Sequence, residues 1–519
     1  MIQIDGKTLS LSDVIAVARY GELVKLSPAA RERMDRSNNW LQEIIDEGKP
    51  VYGINTGFGV FSEQRISIED ANALSRNLIL SHAMGTGPEL PREVVRAAML
   101  IRANTLSGGY SGVRPVIVET LLEMLNRWVT PVIPSQGSLG SSGDLAPLSH
   151  LALVFTTDKA DNEPDSGQAT IGHKQTTRLS GKSAMDQANI PRLILGPKEG
   201  LALSNGATFS AALVALAIAE AENLLDLADI SISMSLEALL GVSTAFDPRL
   251  HTVRGHPGQI TVANNVRRLT SGSSLIDSMG HIQDAYSLRC APQVHGSARD
   301  TLTHVKDVIQ REINAATDNP LIFDPGEVIS GGNFHGEPVG LVADFLSIAL
   351  AEVGAISERR TFRLTDGKLN LNLPPMLVDS HDAAGLNSGL MMAQYTAASL
   401  VLENQNLTSP DSVYSLPTSA EQEDHNANSM TAARHTRMVV ENLTHILAIE
   451  IYCATRALDL RLRQLPERNM GKGVLAAHTF IRQKIPYISG DIWWAPEIEK
   501  LQNLLVSGQL LQAVLKAID

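Results

Sequence analysis

The segment GSLGSSGDLAPLSH, which begins at Gly137, carries the residue types and spacing that most directly indicate chemistry. Glycine adopts backbone angles that cost other residues free energy, so Gly137, Gly140 and Gly143 predict a tight turn around two serines. Asp144 and Pro147 are typical of the start of a helix. We therefore expect the serines to lie on a bent loop that points at a helix N-terminus.

Several local structures fit this loop. A phosphate-binding loop requires GxxxxGK[ST], and no lysine stands at the required position. A nucleophile elbow requires GxSxG directly after a strand, and no strand pattern precedes the serines. A plain glycine turn is the default interpretation of an isolated cluster of this kind.

The tripeptide Ser141-Ser142-Gly143 also allows a reaction within the backbone. A glycine nitrogen is the least hindered amide nucleophile, and that of Gly143 can attack the carbonyl carbon of Ser141. Loss of water closes a five-membered ring, and dehydration of Ser142 leaves an electrophilic methylidene group. A compressed loop favours this step, because well-oriented intramolecular groups reach effective molarities of roughly 10⁵ M or more.

Further polar motifs interrupt an otherwise apolar sequence, and such motifs are candidates to converge on one site. They are YGINTGFG (52–59), SHAMGTG (81–87), LSNG (203–206), QDAYSLRCAPQ (283–293), SGGNFHGEP (330–338) and EQEDHN (421–426).

Long helices must position these motifs. Proline-free or strongly apolar stretches with three- and four-residue periodicity occur at 200–245 and near 338–364, 384–407 and 430–464. Helices that are apolar on most faces are buried among other helices, so the sequence predicts an all-α bundle. The polar segment 158–192 predicts a surface excursion with a short hairpin.

The composition excludes several classes of protein. The chain has 519 residues, 44% hydrophobic residues and a net charge of −13, which indicates a globular protein and disfavours binding to nucleic acid or an anionic membrane. Cys290 and Cys453 are its two cysteines, too few for a disulfide framework or a cysteine-rich metal site. No signal peptide and no apolar run long enough for a bilayer is evident, so we expect a cytoplasmic protein.

The GSLGSSGDLAPLSH segment resembles the signature of the aromatic amino-acid ammonia-lyases and 2,3-aminomutases, and the other motifs follow in that family's order. In this family three residues, usually Ala-Ser-Gly, cyclise to 4-methylideneimidazol-5-one (MIO). The resemblance implies an MIO formed autocatalytically from Ser141, Ser142 and Gly143, with no metal or external cofactor. Ser141 stands where alanine is usual, but it contributes only a side chain and none of the reacting backbone atoms.

The resemblance also implies roles for single residues. Tyr52, beside Gly53, Gly57 and Gly59, would remove the β-proton of the substrate, which requires a pKa below its reference value of about 10. Arg289 would bind the substrate carboxylate as a bidentate pair. The remaining predicted positions near the MIO or the substrate are Asn205, Gln283, Tyr286 and Phe334. Without the resemblance, Tyr52 fits a core tyrosine, Gln283, Tyr286 and Arg289 fit an exposed polar helix face, and the lone His335 is a structural histidine rather than a metal ligand.

Two motifs bear on the substrate. Ser81-His82 is typical of the histidine-specific enzymes of this family, and Gln422-Glu423 resembles their pattern, in which the glutamate pairs with an imidazole. A phenyl ring would leave Glu423 desolvated and unpaired. The flanking residues depart from that pattern, since Glu421 replaces an asparagine and HNANSM replaces HVSM.

The motifs and the resemblance together predict deamination of L-histidine to urocanate. A tyrosine or phenylalanine ammonia-lyase or 2,3-aminomutase with the same MIO is the alternative, and a catalytically degenerate helical binding protein is a further one. The resemblance implies the all-α fumarase/aspartase-like fold and a homotetramer with shared active sites. The predicted divisions are a loop-rich N-terminal part with the MIO (1–200), a central long-helix bundle (201–470) and a C-terminal helical segment (471–519).

Overall fold

Helices make up most of the chain in the computed structural model, which describes residues 1–48, 51–57, 64–67 and 70–518, and this confirms the all-α prediction. The α-helices are α1 (Leu11–Tyr20), α2 (Pro28–Asp46), α3 (Ala71–His82), α4 (Arg92–Ser107), α5 (Pro115–Asn126), α6 (Leu145–Phe155), α7 (Gly181–Gln187), α8 (Glu199–Ser204), α9 (Thr208–Ala238), α10 (Pro248–Arg254), α11 (Pro257–Leu269), α12 (Tyr286–Arg289), α13 (Ala291–Glu312), α14 (Glu337–Thr365), α15 (Met391–Leu407), α16 (Ser429–Gln464), α17 (Lys472–Lys484), α18 (Ala495–Val506) and α19 (Gln509–Ile518).

The strands are short and lie within the first 330 residues of the described chain. They are β1 (Ile2–Ile4), β2 (Val24–Leu26), β3 (Thr86–Glu89), β4 (Val129–Pro131), β5 (Pro134–Gln136), β6 (Thr156–Thr157), β7 (Gln168–Ile171), β8 (Thr177–Ser180), β9 (Leu193–Ile194), β10 (Leu321–Asp324) and β11 (Glu327–Ile329). The pairs β1–β2 and β6–β9 are parallel, whereas β3–β5, β4–β7, β7–β8 and β10–β11 are antiparallel.

The described chain divides into two compact units. Unit 1 comprises Met1–Leu216, Lys306–Asp344 and Pro410–Arg434, and unit 2 comprises Ala217–Val305, Phe345–Ser409 and His435–Asp519. These units draw on separate stretches of sequence, and the predicted divisions at residues 200 and 470 stay a prediction.

Helix α4 lies in the core of unit 1. From Val94 to Ser107 it is buried on every face. It packs against α1 and α5, whose apolar positions complete the core around it. Two arginines of α4, Arg96 and Arg102, are buried with it and donate hydrogen bonds to backbone carbonyls. Such bonds offset the cost of removing a guanidinium group from water.

Three helices and one strand pair of unit 1 bring distant motifs together. Helices α3, α6 and α8 pack against one another in all three pairings. Strand β5, which ends directly before the glycine turn, pairs with β3, which follows Ser81-His82, with Thr86 opposite Gln136. The packing therefore places the end of α3, the start of α6 and the end of α8 close to one another.

The polar segment 158–192 forms the predicted hairpin. Strands β7 and β8 pair from Gln168–Ser180 to Ile171–Thr177, and β4 extends them to a three-stranded sheet. Polar and glycine-containing sequence predicts a surface turn, and the hairpin confirms it.

In unit 2, long helices are joined by buried ion pairs. Arg360 of α14 and Glu450 of α16 are both fully buried and lie 2.6 Å apart, and Ser235 of α9 donates a further bond to the same carboxylate. The Arg360 guanidinium and the serine hydroxyls hold the pKa of Glu450 below its usual value although burial raises it. Such a pair stays charged because every oxygen has a partner.

Two predicted helical features differ in the structure. The stretch predicted near 384–407 is helical only from Met391, because residues 384–390 form turns around Gly385 and Gly389, both with positive φ. Helix α14 is long and apolar enough, by length and composition, to cross a membrane, contrary to the expectation that no such run exists. Most of its apolar window, 61%, is buried inside the protein, as in core helices of globular proteins.

Candidate active site

The glycine turn predicted around the serines is present between β5 and α6. Gly137, Gly140 and Gly143 all have positive φ, at 125°, 66° and 82°. A Cβ atom at Gly143 would lie 2.0 Å from the backbone nitrogen of Gly206, so the position has no space for any other residue. The turn is therefore compressed against the break between α8 and α9.

Asn205 binds the turn from the end of α8. Its Nδ2 donates to the carbonyl oxygen of Ser142 at 2.5 Å, and the Gly206 amide approaches the same oxygen at 3.4 Å. Asn205 is buried, and its Oδ1 has no hydrogen-bond partner among the described residues. Two donors on one carbonyl oxygen form a site that stabilises negative charge there.

The Asp144 carboxylate stabilises the turn through hydrogen bonds. The sequence predicted a helix start here, and α6 begins at Leu145, but the Asp144 carboxylate does not cap the helix. It accepts bonds from the amide and hydroxyl of Ser210 and from the hydroxyl of Ser138. Burial raises the pKa of Asp144, and these hydrogen bonds oppose the shift.

Arg102 of α4 places a positive charge next to the segment between α8 and α9, against which the turn packs. Its guanidinium donates to the carbonyl oxygens of Ala202 and Gly206 and to the Thr208 hydroxyl. Complete burial lowers the pKa of Arg102 to about 10, and burial raises the pKa of Glu312 to about 7. The charge of each group opposes the shift of the other, because it stabilises the ionised form of its partner. These contacts fix the backbone on both sides of Asn205.

Ser142 opens into a cavity of about 600 Å³ within unit 1. The described residues that line it are Tyr52, Gly57, Gln64, Ile66, Leu74, Asn77, Leu78, Ser81, His82, Ser142, Leu145, Leu201, Asn205, Asn319, Phe334, Ser419 and Glu423. Apolar atoms make up most of the exposed surface of the wall, and amide, hydroxyl, imidazole and carboxylate groups converge on the rest, as in many small-molecule sites.

Polar side chains of α3 and of the loop before α16 lie in this wall. Ser81 Oγ lies 3.1 Å from the Leu78 carbonyl oxygen and 2.9 Å from His82 Nδ1. Burial lowers the pKa of His82, whereas its bond to Leu78 and the Glu423 carboxylate raise it. Half-buried Glu423 accepts a bond from the Thr418 hydroxyl at 3.2 Å. The cavity therefore holds a carboxylate and an imidazole in apolar surroundings.

Tyr52 and Phe334 line the cavity from other elements of unit 1. Tyr52 lies in a turn with Gly53, which has φ of 68° and donates its amide hydrogen to the Thr56 hydroxyl. Gly59, the last of the three glycines named beside Tyr52, lies outside the described residues.

Six predicted residues do not line this cavity in the described chain, and two of them, Ser141 and Gly143, flank Ser142 in the turn. Gln422 is exposed, one residue before Glu423. The other three, Gln283, Tyr286 and Arg289, lie in unit 2. Gln283 comes before α12, whereas Tyr286 and Arg289 are its first and last residues. A separate cavity of about 610 Å³ is lined by Gln283 and Arg289. The Arg289 guanidinium lies 4.8 Å from the centre of the exposed Tyr286 ring, and its buried Nε has no partner among the described residues.

Several polar residues of the wall were not predicted from the sequence, among them Asn77, Asn319 and Ser419. Asn77 precedes Ser81 by four residues on α3, and this helical spacing could have indicated it. Asn319 and Ser419 lie in irregular segments, where no periodicity indicates the direction of a side chain. Among residues 1–48, 51–57, 64–67 and 70–518, no group of three His, Cys, Asp or Glu side chains could hold a metal ion.

An all-α protein whose strained serine turn faces an apolar cavity with one carboxylate has the features of a helical enzyme for a small substrate. The chain belongs to the aromatic amino acid lyase family, whose model matches residues 9–483. The resemblance found in the sequence motifs is thereby confirmed.

Relatives match nearly the whole chain. A histidine ammonia-lyase from Caldanaerobacter subterraneus subsp. tengcongensis is 49% identical over 518 residues, covering 99% of this chain and 98% of its own. The structure of a histidine ammonia-lyase from Trypanosoma cruzi is 36% identical with a TM-score of 0.89, covering 100% of this chain and 96% of its own. A tyrosine aminomutase from Streptomyces globisporus is 33% identical with a TM-score of 0.91, covering 100% and 99%.

Proposed function

We propose that this protein is a carbon–nitrogen lyase that eliminates ammonia from L-histidine and releases urocanate. One observation carries the proposal: Ser142 and Glu423 face the same cavity, so a reactive group and a carboxylate are available to one small molecule. A half-buried carboxylate needs hydrogen-bond donors, and the imidazole of histidine supplies an N–H donor. The high identity to histidine ammonia-lyases supports the same substrate.

We propose further that Ser141, Ser142 and Gly143 form an MIO ring. The Gly143 nitrogen bonds to the Ser141 carbonyl carbon, whose oxygen leaves as water with the amide hydrogens of Ser142 and Gly143. Ser142 then loses its hydroxyl and its Cα hydrogen as a second water. The residues fit this group, because Gly143 is already pressed against Gly206 and the unpartnered Asn205 Oδ1 lies beside the turn. Once formed, the ring would supply an electrophilic carbon to the substrate amine.

The other residues of the cavity act on the substrate. Tyr52 takes the β-proton, and Asn205 and the N-terminus of α6 stabilise negative charge at the serine turn. Glu423 accepts a hydrogen bond from the imidazole, and His82 and Ser81 border the same ring. Phe334 and the leucines of the wall exclude water, which strengthens each of these polar contacts.

A second copy of the chain completes the site in this proposal. Among the described residues no lysine or arginine lines the cavity, yet a substrate carboxylate requires a cation of the kind that Arg289 offers. The unpartnered Nε of Arg289 in the described chain fits such a role. We therefore propose a homotetramer with shared active sites, in which Gln422 lies near the substrate. We also propose that the enzyme uses no metal or external cofactor and is located in the cytoplasm.

The first experiment separates the substrates. The purified protein is incubated with L-histidine, L-tyrosine or L-phenylalanine, ammonia is measured, and the acid or β-amino acid is identified by mass spectrometry with chiral separation. We expect urocanate from L-histidine alone. Coumarate, cinnamate or a β-amino acid as the main product would replace the histidine assignment with the corresponding lyase or aminomutase.

Two variants test the ring and one pair tests the assembly. S142A should lose activity and the mass deficit of two water molecules, whereas S149A, which alters a buried serine without a partner in the described chain, should keep both. Co-expression of S142A with R289A should restore activity if one copy supplies Ser142 and another supplies Arg289. Full activity of S142A would refute the ring.

A further inference from the structure

Ser141 and Asn426 form a buried contact between the serine turn and the loop that carries Glu423. Ser141 Oγ lies 2.5 Å from Asn426 Oδ1 and accepts a bond from the Ala427 amide at 3.1 Å. Ser141 and Asn426 are 4% and 1% exposed, so water does not substitute for either partner. The hydroxyl of Ser141 therefore satisfies two groups of a segment 285 residues further along the chain.

The orientation of the Asn426 amide is fixed by its other contacts. Its Nδ2 donates to the Leu416 carbonyl oxygen, which can only accept, so Oδ1 must face Ser141. Its backbone amide donates to Ser415 Oγ at 2.8 Å. Asn426 thus joins the serine turn to the start of its own loop.

The same loop is closed around Glu423. Thr418 and Glu423 form an antiparallel bridge, with backbone distances of 2.9 and 3.2 Å, and the Thr418 hydroxyl binds the Glu423 carboxylate. Leu416 and Thr418 are two residues apart, so the tether at Asn426 lies close to this bridge in sequence. A loop between two helices is mobile unless it is tied at defined points. Ser141 is such a point, and it is the immediate neighbour of Ser142.

We propose that Ser141 is a positioning residue that sets the distance between the reactive Ser142 and the Glu423 carboxylate, and thereby favours substrates whose ring carries a hydrogen-bond donor at that reach. This inference rests on the proposed function and names a determinant of its specificity. Alanine at position 141 retains every backbone atom that ring formation uses, but it leaves Asn426 Oδ1 and the Ala427 amide buried without this partner.

The consequence of S141A follows from the lost bonds. An unsatisfied buried group drives local rearrangement, so the Glu423 loop should sample positions in which the carboxylate is out of reach. We expect the KM for L-histidine to rise about tenfold, equivalent to about 1.4 kcal/mol, while kcat changes less than about twofold. S141T retains the hydroxyl and should restore the KM, and S149A should match the wild type.

Binding and exchange measurements complete the test. Calorimetry should show weaker binding of urocanate to S141A and unchanged binding of cinnamate, which offers Glu423 no donor. Hydrogen exchange of residues 416–428 should be faster in S141A, and S141A and N426A should be less than additive in KM because they remove the same contact.

The outcomes separate the inference from the proposed function. Three results for S141A would overturn the role of Ser141 in positioning. They are equally weakened binding of urocanate and cinnamate, an unchanged KM, and loss of the two-water mass deficit together with a collapse of kcat. A wild type that binds urocanate but releases no ammonia from L-histidine refutes only the proposed function, because the calorimetric comparison still decides the inference.

Discussion

Replacing Glu423 with glutamine tests the origin of substrate choice most directly. Glutamine has nearly the same shape and keeps an acceptor for the Thr418 hydroxyl, so the substitution removes mainly the charge. Glu423 is half-buried in the cavity wall, and a charged acceptor binds an N–H donor more strongly than a neutral one does.

The magnitude follows from the kind of bond that is lost. Hydrogen bonds to charged groups contribute about 1.5–3 kcal/mol, and partial exposure of Glu423 favours the lower part of this range. With about 1.4 kcal/mol per factor of ten, kcat/KM for L-histidine should fall about 10- to 50-fold in E423Q. Turnover of L-phenylalanine should stay level or rise, because a phenyl ring no longer desolvates a charge.

The pH dependence supplies a second readout. The Glu423 carboxylate raises the pKa of His82, opposing the lowering caused by burial. Without that charge the pKa of His82 falls further, so His82 stays neutral to lower pH. The acid limb of the KM profile for L-histidine should therefore move to lower pH in E423Q.

The assay uses urocanate formation under steady-state conditions, with E421Q as the matched control. Glu421 is exposed, lies two residues from Glu423 and is not among the described residues that line the cavity. Equal losses in E421Q and E423Q, or an E423Q enzyme that treats L-histidine as the wild type does, would refute the assignment of Glu423 as the imidazole partner.

Three further predictions concern the glycine turn at Gly143 and two buried carboxylates, Glu237 and Asp318. G143A should lose the two-water mass deficit and unfold at lower temperature, because its Cβ would lie 2.0 Å from the Gly206 nitrogen at a φ of 82°. The free energy of unfolding should fall as the pH rises from about 4.5 to about 8, because burial raises the pKa of Glu237 to about 8, and E237Q should flatten this dependence in urea titrations. K198A should destabilise the protein by about 3–5 kcal/mol in urea, because it leaves Asp318 charged and buried without its partner at 2.5 Å.

Each of these results has a clear opposite. A G143A protein with the full mass deficit would show that the turn is not compressed as described. An unchanged pH dependence in E237Q would assign the titration to another group, and a K198A protein as stable as the wild type would mean that Asp318 finds water. The double variant K198M/D318L should recover part of the loss, since it leaves no charge behind.

Local sequence was sufficient for several features. The three glycines around Ser142 predicted a tight turn, and all three have positive φ. Apolar periodicity predicted α9, α14 and α16, because a helix apolar on most faces can only be buried. The polar composition of 158–192 predicted the β7–β8 hairpin. Apolar periodicity and polar composition are both local patterns, so neither depends on distant residues.

Other features depended on contacts between residues far apart in the chain. Asp144 has the local context of a helix cap, yet its carboxylate binds Ser138 of its own turn and Ser210 of α9, and only packing against α9 supplies the second donor. The predicted helical face of Gln283, Tyr286 and Arg289 is only partly helical, because α12 begins at Tyr286.

The sequence by itself determined the glycine turn around Ser142 and the types of side chain available to it, because the conformational freedom of glycine and helical periodicity are encoded within a few neighbouring residues. Tertiary structure decided which of these side chains share a cavity. Asn319 and Ser419 join Ser142 there, and Ser141 contacts Asn426, because residues far apart in sequence meet only when the chain folds. Spacing along the chain carries no record of such long-range approaches.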